Sequence, residues 1–303
     1  MEPKKRAIAL GFFDGVHIGH SALIRKVLAI GAEKALVPSV ITFDTHPLSL
    51  ISGSDVPLIN SPEDRAGLIR RVFGIEDIIF LHFDRETASM PWDNFISHVY
   101  SEFGARHLVA GHDFRFGNGG KGSSALLKQK CLELEIGCDI IPEVILDGVV
   151  SSSTHVRDLI SAGDIERANA FLGHPHVLTD VVRYGYHLGS TLGTPTINMR
   201  FCDGVLIPPF GVYATRAFLD ADSSSGHIGV TNIGVRPTVD DSGIITAETH
   251  ILDYQGNLYG HQVRIEFHSR LRAEKKFRGK DELKAQIRKD CDRARLYFAE
   301  KKS

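Results

Sequence analysis

Residues 11–20 read GFFDGVHIGH. They close an apolar run, Ala7 to Phe13, that has the character of a buried strand. They open HSALIRKVLAIGAEKA (20–35), whose apolar spacing is near the helical period of 3.6. A glycine-rich turn between a first parallel strand and its helix is a place to bind phosphate. The helix start offers free N–H groups and the positive end of a dipole, and glycines let the backbone come close to a ligand. Gly11, Gly15 and Gly19 fill that role here, and His17 and His20 can add donors for phosphate oxygens.

Outward from this turn the first half alternates strand and helix. LVPSVITF (36–43), DIIFLHF (77–83), HLVAG (107–111) and CDIIPEV (138–144) read as strands. SPEDRAGLIRRVFG (61–74), WDNFISHVYSEFG (92–104) and SSALLKQKCLELEIG (123–137) read as the intervening helices. The first of these helices has both ends written in: Ser61 as N-cap, Pro62 in the first position, Glu63 and Asp64 in the first turn, Gly74 at the end. Such alternation predicts a Rossmann-like parallel sheet with crossover helices. STHVRDLISAG (153–163) and DIERANAFLG (164–173) read as two short helices that close it. From Val177 the period changes to short β segments, among them TPTINMR (194–200), GVYATRAFL (211–219), HIGVTNIG (227–234), AETHILDY (247–254) and QVRIEFHS (262–269). These predict an antiparallel β-barrel, followed by one amphipathic helix, KDELKAQIRKDCDRARLYFAEKK (280–302). The fold class is α/β plus all-β. The break falls at LGHPH (172–176), giving domains 1–175 and 176–303.

Composition narrows the functions available. With 43% hydrophobic and 24% charged residues the 303-residue chain is an ordinary globular one that needs no disulfides. A formal net charge of −2 argues against nucleic acid as a partner, though not against a small phosphate site. Cys131, Cys138, Cys202 and Cys291 form no C-x-x-C pair, so no zinc or redox motif is expected. The basic start MEPKKR leads into an apolar run that Asp14 interrupts too early for a signal peptide, and no stretch is long enough to span a membrane. A cytoplasmic protein is expected. GNGGKG (117–122) contains a G-x-G-x-x-G, but it follows the fourth strand rather than the first. As a P-loop it fails too, with Arg115 six residues before Lys121 and Gly122 where Ser or Thr is needed.

HIGH on the first turn resembles the signature of the nucleotidyltransferase superfamily. The whole of GFFDGVHIGH, with TFDTHP (42–47), GHDFRFGNGGKG (111–122) and SSSTHVRDLISAGDIERANAFLG (151–173), resembles the first half of the bacterial bifunctional riboflavin kinase/FAD synthetase family. LGTPTINM (192–199), LIPPFGVYAT (206–215), GVTNIGVRPTV (229–239), ETHILDYQGNLYG (248–260) and LRAEKKF (271–277) resemble its second half, in the family's order. The resemblance implies that the first domain joins AMP from ATP to FMN and the second phosphorylates riboflavin.

It implies roles as well. His17 and His20 would act on the α- and β-phosphates of ATP, and Arg157 would hold departing pyrophosphate beside Ser153 and Thr154. Gly11, Phe13, Asp14, Gly15, Gly19, Asp113 and Phe114 would shape the nucleotide and flavin pocket of that domain, with Gly193 and Asn232 doing so in the other. Glu248 would be the kinase base, and Thr196 and Asn198 would hold Mg2+ near ATP. Read without the resemblance, Thr196 and Asn198 are two residues on one face of a strand. The partners implied are ATP, riboflavin and FMN, with a monomer favoured. Ser190, Thr194 and Ile197 depart from the family's kinase motif, and Asp44-Thr45, Ser123 and His155 depart from the family's residues in the first half. A class I aminoacyl-tRNA synthetase would explain HIGH but leaves no anticodon module. Pantetheine-phosphate or nicotinamide-mononucleotide adenylyltransferases would explain only the first half, and a flavin-binding sensor would keep the pockets without the chemistry.

Overall fold

Strand β1 (Arg6–Leu10) forms the middle of a five-stranded parallel sheet, with β2 (Val37–Phe43) on one side and β4 (Ala105–Gly111) on the other. With β3 (Asp77–Leu81) and β5 (Gly137–Ile141) the order is β3-β2-β1-β4-β5. The chain reverses its direction of growth between β1 and β4, and a doubly wound sheet binds ligands outside the strand ends at that switch point. GFFDGVHIGH leaves β1 there and GHDFRFGNGGKG leaves β4 there. The structure, a computed structural model, describes residues 4–45, 56–183, 196–219, 226–236 and 244–301.

The helices are α1 (Ile18–Lys34), α2 (Pro62–Phe73), the short α3 (Arg85–Ser89), α4 (Trp92–Glu102) and α5 (Ser124–Glu133). The written signals act as read: Ser61 Oγ accepts from Asp64 N at 3.0 Å, and Gly74 ends α2 in the left-handed region at φ 68°. Strand β1 stops three residues before the apolar run does, because Phe13 takes a left-handed conformation at φ 56°. On one face of the sheet Ile8, Leu10, Leu108 and Ala110 pack with Phe95, Ile96 and Val99 of α4 and Leu127 of α5. All eight are essentially buried.

Strands β6 (Ile145–Leu146) and β7 (Val149–Val150) form a small hairpin before α6 (Ser153–Ala162) and α7 (Ile165–Leu172). Strands β8 (His176–Val181), β9 (Thr196–Arg200), β10 (Gly211–Phe218), β11 (His227–Arg236), β12 (Ile244–Ile251) and β13 (Gln262–Ala273) follow, then α8 (Lys280–Glu300). The six strands form an antiparallel sheet in the order β8-β13-β10-β11-β12-β9. Its two edges meet where Arg183 N donates to Asn198 O at 3.0 Å, which curls the sheet toward a barrel. Cys291, Ala294 and Phe298 of α8 pack onto Val212, Ala214 and Leu271.

The chain divides into two compact units, Met1–Ser153 and Thr154–Ser303. Most of α6 and all of α7 therefore belong with the β-rich unit, whereas the sequence break lies at 175/176. Asn169 of α7 explains part of this. Its amide donates to Phe267 O at 2.8 Å and its carbonyl accepts from His176 N at 2.8 Å, stitching the helix to β13 and β8.

His176 is 1% exposed and both ring nitrogens lack a hydrogen-bond partner. Burial, with a smaller push from His174, lowers its pKa to about 4. The folded form therefore resists the proton that the unfolded chain takes up near pH 6.5. Stability is fully present above that pH and drains away as pH falls toward 4. The loss expected at pH 5 is about 2 kcal/mol. Denaturant midpoints at pH 7.5 and pH 5 check this, and His176→Leu is expected to flatten the difference by a similar amount.

Candidate active sites

His17 is the N-cap of α1. Its Nδ1 accepts from the backbone N–H of Gly19 at 3.2 Å and of His20 at 3.4 Å, and lies 3.3 Å from Ser151 Oγ. A nitrogen that accepts two backbone protons carries none itself. In the neutral ring the proton therefore sits on Nε2. A Cβ at Gly19 would lie 2.9 Å from His17 Cε1, so only glycine lets this ring fold back over the helix start. The His20 ring stacks on His17 at 3.7 Å between centroids and lies 5.1 Å from the ring of Phe13. Burial first, then the neighbouring His17 and Arg65, hold the His20 pKa well below the usual imidazole value. The His20 ring is therefore neutral near neutral pH and is not a fixed cation.

The rest of the turn is set by strain and by one acid. Phe13, Gly15 and Val16 have φ of 56°, 77° and 44°. Left-handed backbone at a β-branched residue is costly and persists where surrounding structure enforces it. Asp14 is 1% exposed, and its Oδ1 accepts from Ile59 N at 2.8 Å and Asn60 N at 3.4 Å. Ser153 Oγ donates to Asp14 O at 2.9 Å. The fold thus gathers Gly11, Gly15, Gly19, His17, His20 and Ser153 at one turn. The side chains of Phe13 and Asp14 are buried within it. Asp113 is exposed after β4, while Phe114 stacks on Phe116 at 5.4 Å and packs against the core. Thr154 and Arg157 lie on α6 in the second unit, where His155 packs edge-on against Phe171 at 4.6 Å.

In the second unit, register builds another cluster. Glu248 of β12 pairs directly with Asn232 of β11 on one side and Asn198 of β9 on the other, and Thr196 pairs with His250. Directly opposed residues share a sheet face, so these polar groups form one patch. Thr196, Asn232 and Glu248 line a cavity of about 220 Å³, walled by Phe277, Leu283 and Ile287. Arg272 and Asp290 also line it, paired at 2.9 Å, with Asp290 1% exposed. Asn198 is 6% exposed and its Oδ1 is buried without a hydrogen-bond partner. An orphaned amide oxygen beside a hydroxyl and a carboxylate is a fitting donor set for a hard cation such as Mg2+. Among the described residues no group of three or more His, Cys, Asp or Glu could hold a metal, so such an ion would draw on phosphate and water as well. Gly193, with Ser190 and Thr194, lies outside the described residues.

The FAD synthetase family pattern matches residues 1–155, and the riboflavin kinase pattern matches residues 172–298. The chain belongs to the bifunctional riboflavin kinase/FMN adenylyltransferase family. Its relative of that name in Bacillus subtilis is 34% identical over 302 residues, covering 98% of this chain and 94% of the relative. The Escherichia coli K12 bifunctional enzyme is 33% identical, with 96% and 92% covered. A crystal structure described as a macrolide-efflux protein from Streptococcus pneumoniae has a TM-score of 0.83 and 28% identity, covering 97% of this chain and 94% of that one. Among the described residues here, no helix is long and apolar enough to cross a membrane.

Four residues of this riboflavin kinase/FMN adenylyltransferase family member, in three cases, escape a reading of the sequence. Ser151 is one of three consecutive serines, and only the fold selects it as the one against His17. Arg272 and Asp290 are far apart in sequence and meet only through the packing of α8. Arg65 is the third case, and it alone left a signal. A cation in the first turn of α2 opposes the helix dipole, so another interaction must hold it there.

Proposed function

We propose that the two clusters catalyse successive steps, with ATP as co-substrate of both. The chain is a riboflavin kinase and FMN adenylyltransferase, and the observation that carries this is the match of one family pattern to each half. The residue roles are our proposals. In the β-rich unit the riboflavin 5′-hydroxyl oxygen attacks the γ-phosphorus of ATP, its proton passes to Glu248, and ADP leaves. A primary alcohol is a poor nucleophile, which is why a base is useful. Thr196 and Asn198 would hold Mg2+, which when bound neutralises phosphate charge. Asn232 and the apolar wall of Phe277, Leu283 and Ile287 would orient the flavin.

In the parallel-sheet unit a phosphate oxygen of FMN attacks the α-phosphorus of ATP and the bond to the β-phosphate breaks. FAD forms and pyrophosphate leaves. A phosphomonoester is already largely dianionic at neutral pH, its second pKa being about 6, so alignment and charge stabilisation matter more than a base. His17 Nε2–H and His20 would donate to oxygens that gain charge in the transition state, and Arg157 would take up pyrophosphate with Ser153 and Thr154. Asp113 and Phe114 would border the flavin. A cytoplasmic location accords with the need for ATP and with four cysteines that form no disulfide.

Incubating the pure chain with riboflavin, ATP and Mg2+ and separating the flavins by chromatography tests the whole reading. FMN is expected first and FAD after it; riboflavin left unchanged would overturn it. We place the division of chemistry at 175/176. A piece spanning 176–303 is expected to make FMN and no FAD, and to melt below a piece spanning 154–303, which keeps Asn169 and its two bonds. A folded 154–303 piece that makes no FMN would refute this division.

A further inference from the structure

Arg65 is the largest fully buried side chain among the described residues, 0% exposed, while Arg70 and Arg71 on the same helix are exposed. Its Nη1 donates to Phe12 O at 3.0 Å, Thr42 Oγ1 at 2.9 Å and Phe43 O at 2.8 Å. Thr42 Oγ1 in turn donates to Phe12 O at 2.7 Å. The guanidinium lies 4.3 Å from the centre of the Phe12 ring. One nitrogen therefore ties the residues that leave β1 to the end of β2. The other two, Nε and Nη2, are buried and make no hydrogen bond.

This is an expensive way to join two strands. Burying a cation with idle donors is unfavourable, and an apolar side chain of similar volume commonly packs as stably. Burial pushes the guanidinium pKa down to about 10, against the pull of Asp14, Asp44 and Glu63, so the charge is still present at neutral pH. It acts on His20, whose imidazole it helps keep neutral alongside His17; these two are the titratable or charged groups bearing on that ring. Full burial also decides the kind of role. No substrate atom reaches this guanidinium, so it works through the turn and through its field.

We propose that Arg65 is a positioning residue for adenylyl transfer, clamping the Phe12 carbonyl to β2 and setting a permanent positive charge close to the His17–His20 turn. The inference rests on the adenylyltransferase reading of that turn. A fixed charge in a water-poor site costs no reorganisation when the phosphates gain charge. A clamp on Phe12 fixes the path of the backbone that carries His17, and displacing a catalytic group by about 1 Å can cost about 10²-fold in rate.

Two variants test it in the full-length protein. Arg65→Met removes charge and donors, and is expected to lower kcat for FAD formation from FMN about 10²-fold with a small change in KM for ATP. Riboflavin phosphorylation should stay near wild type. Arg65→Lys keeps the charge and brings three N–H donors for the same three oxygens, so it should retain most of the activity. Followed by NMR, the His20 imidazole should titrate at higher pH in Arg65→Met and not in Arg65→Lys. A folded Arg65→Met protein with wild-type kcat overturns the proposal. If Arg65→Met does not fold, Arg65→Lys decides: a normal melting temperature with FAD synthesis reduced more than about tenfold (about 1.4 kcal/mol) overturns it, and retained activity supports it. A wild-type chain that makes no FAD would instead sink the reading beneath it.

Discussion

Glu248→Gln is expected to slow riboflavin phosphorylation by a factor of about 10² to 10⁴, the usual cost of losing a general base. Glutamine keeps the size and one acceptor of glutamate, so the row Asn232–Glu248–Asn198 should persist while the proton acceptor is lost. FAD formation from supplied FMN should be unchanged, since the parallel-sheet unit has a turn and core of its own. Measuring ADP release with riboflavin and pyrophosphate release with FMN on one preparation separates the two activities. Equal loss of both would indicate misfolding. An unaffected kinase would remove Glu248 from its assigned role.

The histidines of the first turn are expected to show the opposite pattern. His20→Ala should reduce FAD synthesis about 10² to 10³-fold, or about 2.7–4 kcal/mol, and leave riboflavin phosphorylation intact. The effect should fall on kcat more than on KM, because the donor acts on charge that appears in the transition state. His17 has a second duty that must be separated from the first. Its Nδ1 caps α1, so His17→Ala should also cost about 0.5–2 kcal/mol in stability. Asparagine is a good N-cap but cannot present a donor where imidazole Nε2 does. His17→Asn should therefore restore the melting temperature and not the rate. Recovery of both would show that His17 is only a cap.

The outcome at His17 shows how the site was and was not legible. Two histidines three apart after a first strand, with glycine at 15 and 19, predict a phosphate turn because helix starts and glycine conformations are local properties. The need for Gly19 is local as well, since the ring it accommodates is only two residues away. The tautomer of His17 depends on Ser151 and on two backbone N–H groups, which no spacing rule reveals. Nor does spacing reveal that Phe13 takes a left-handed backbone and is buried, or that Asp14 accepts from Ile59 N. Thr196 and Asn198 share a face by simple alternation, but that Glu248 and Asn232 join them follows from register alone.

By itself the sequence determined the elements and their class: where α2 starts and stops, the strand–helix alternation, the later change to short strands, and the glycine-rich turn after β1. These are encoded over a few residues by capping, conformational preference and hydrophobic period, so neighbours suffice to read them. Only the tertiary structure decided that Arg65 is buried beside Phe12, that α7 is stitched to β8 and β13 through Asn169, and that Asn198, Glu248 and Asn232 stand in one row. Those facts join segments far apart in the chain. They are fixed by which apolar faces must be covered and which buried polar atoms must find partners, and both conditions exist only once the chain has closed on itself.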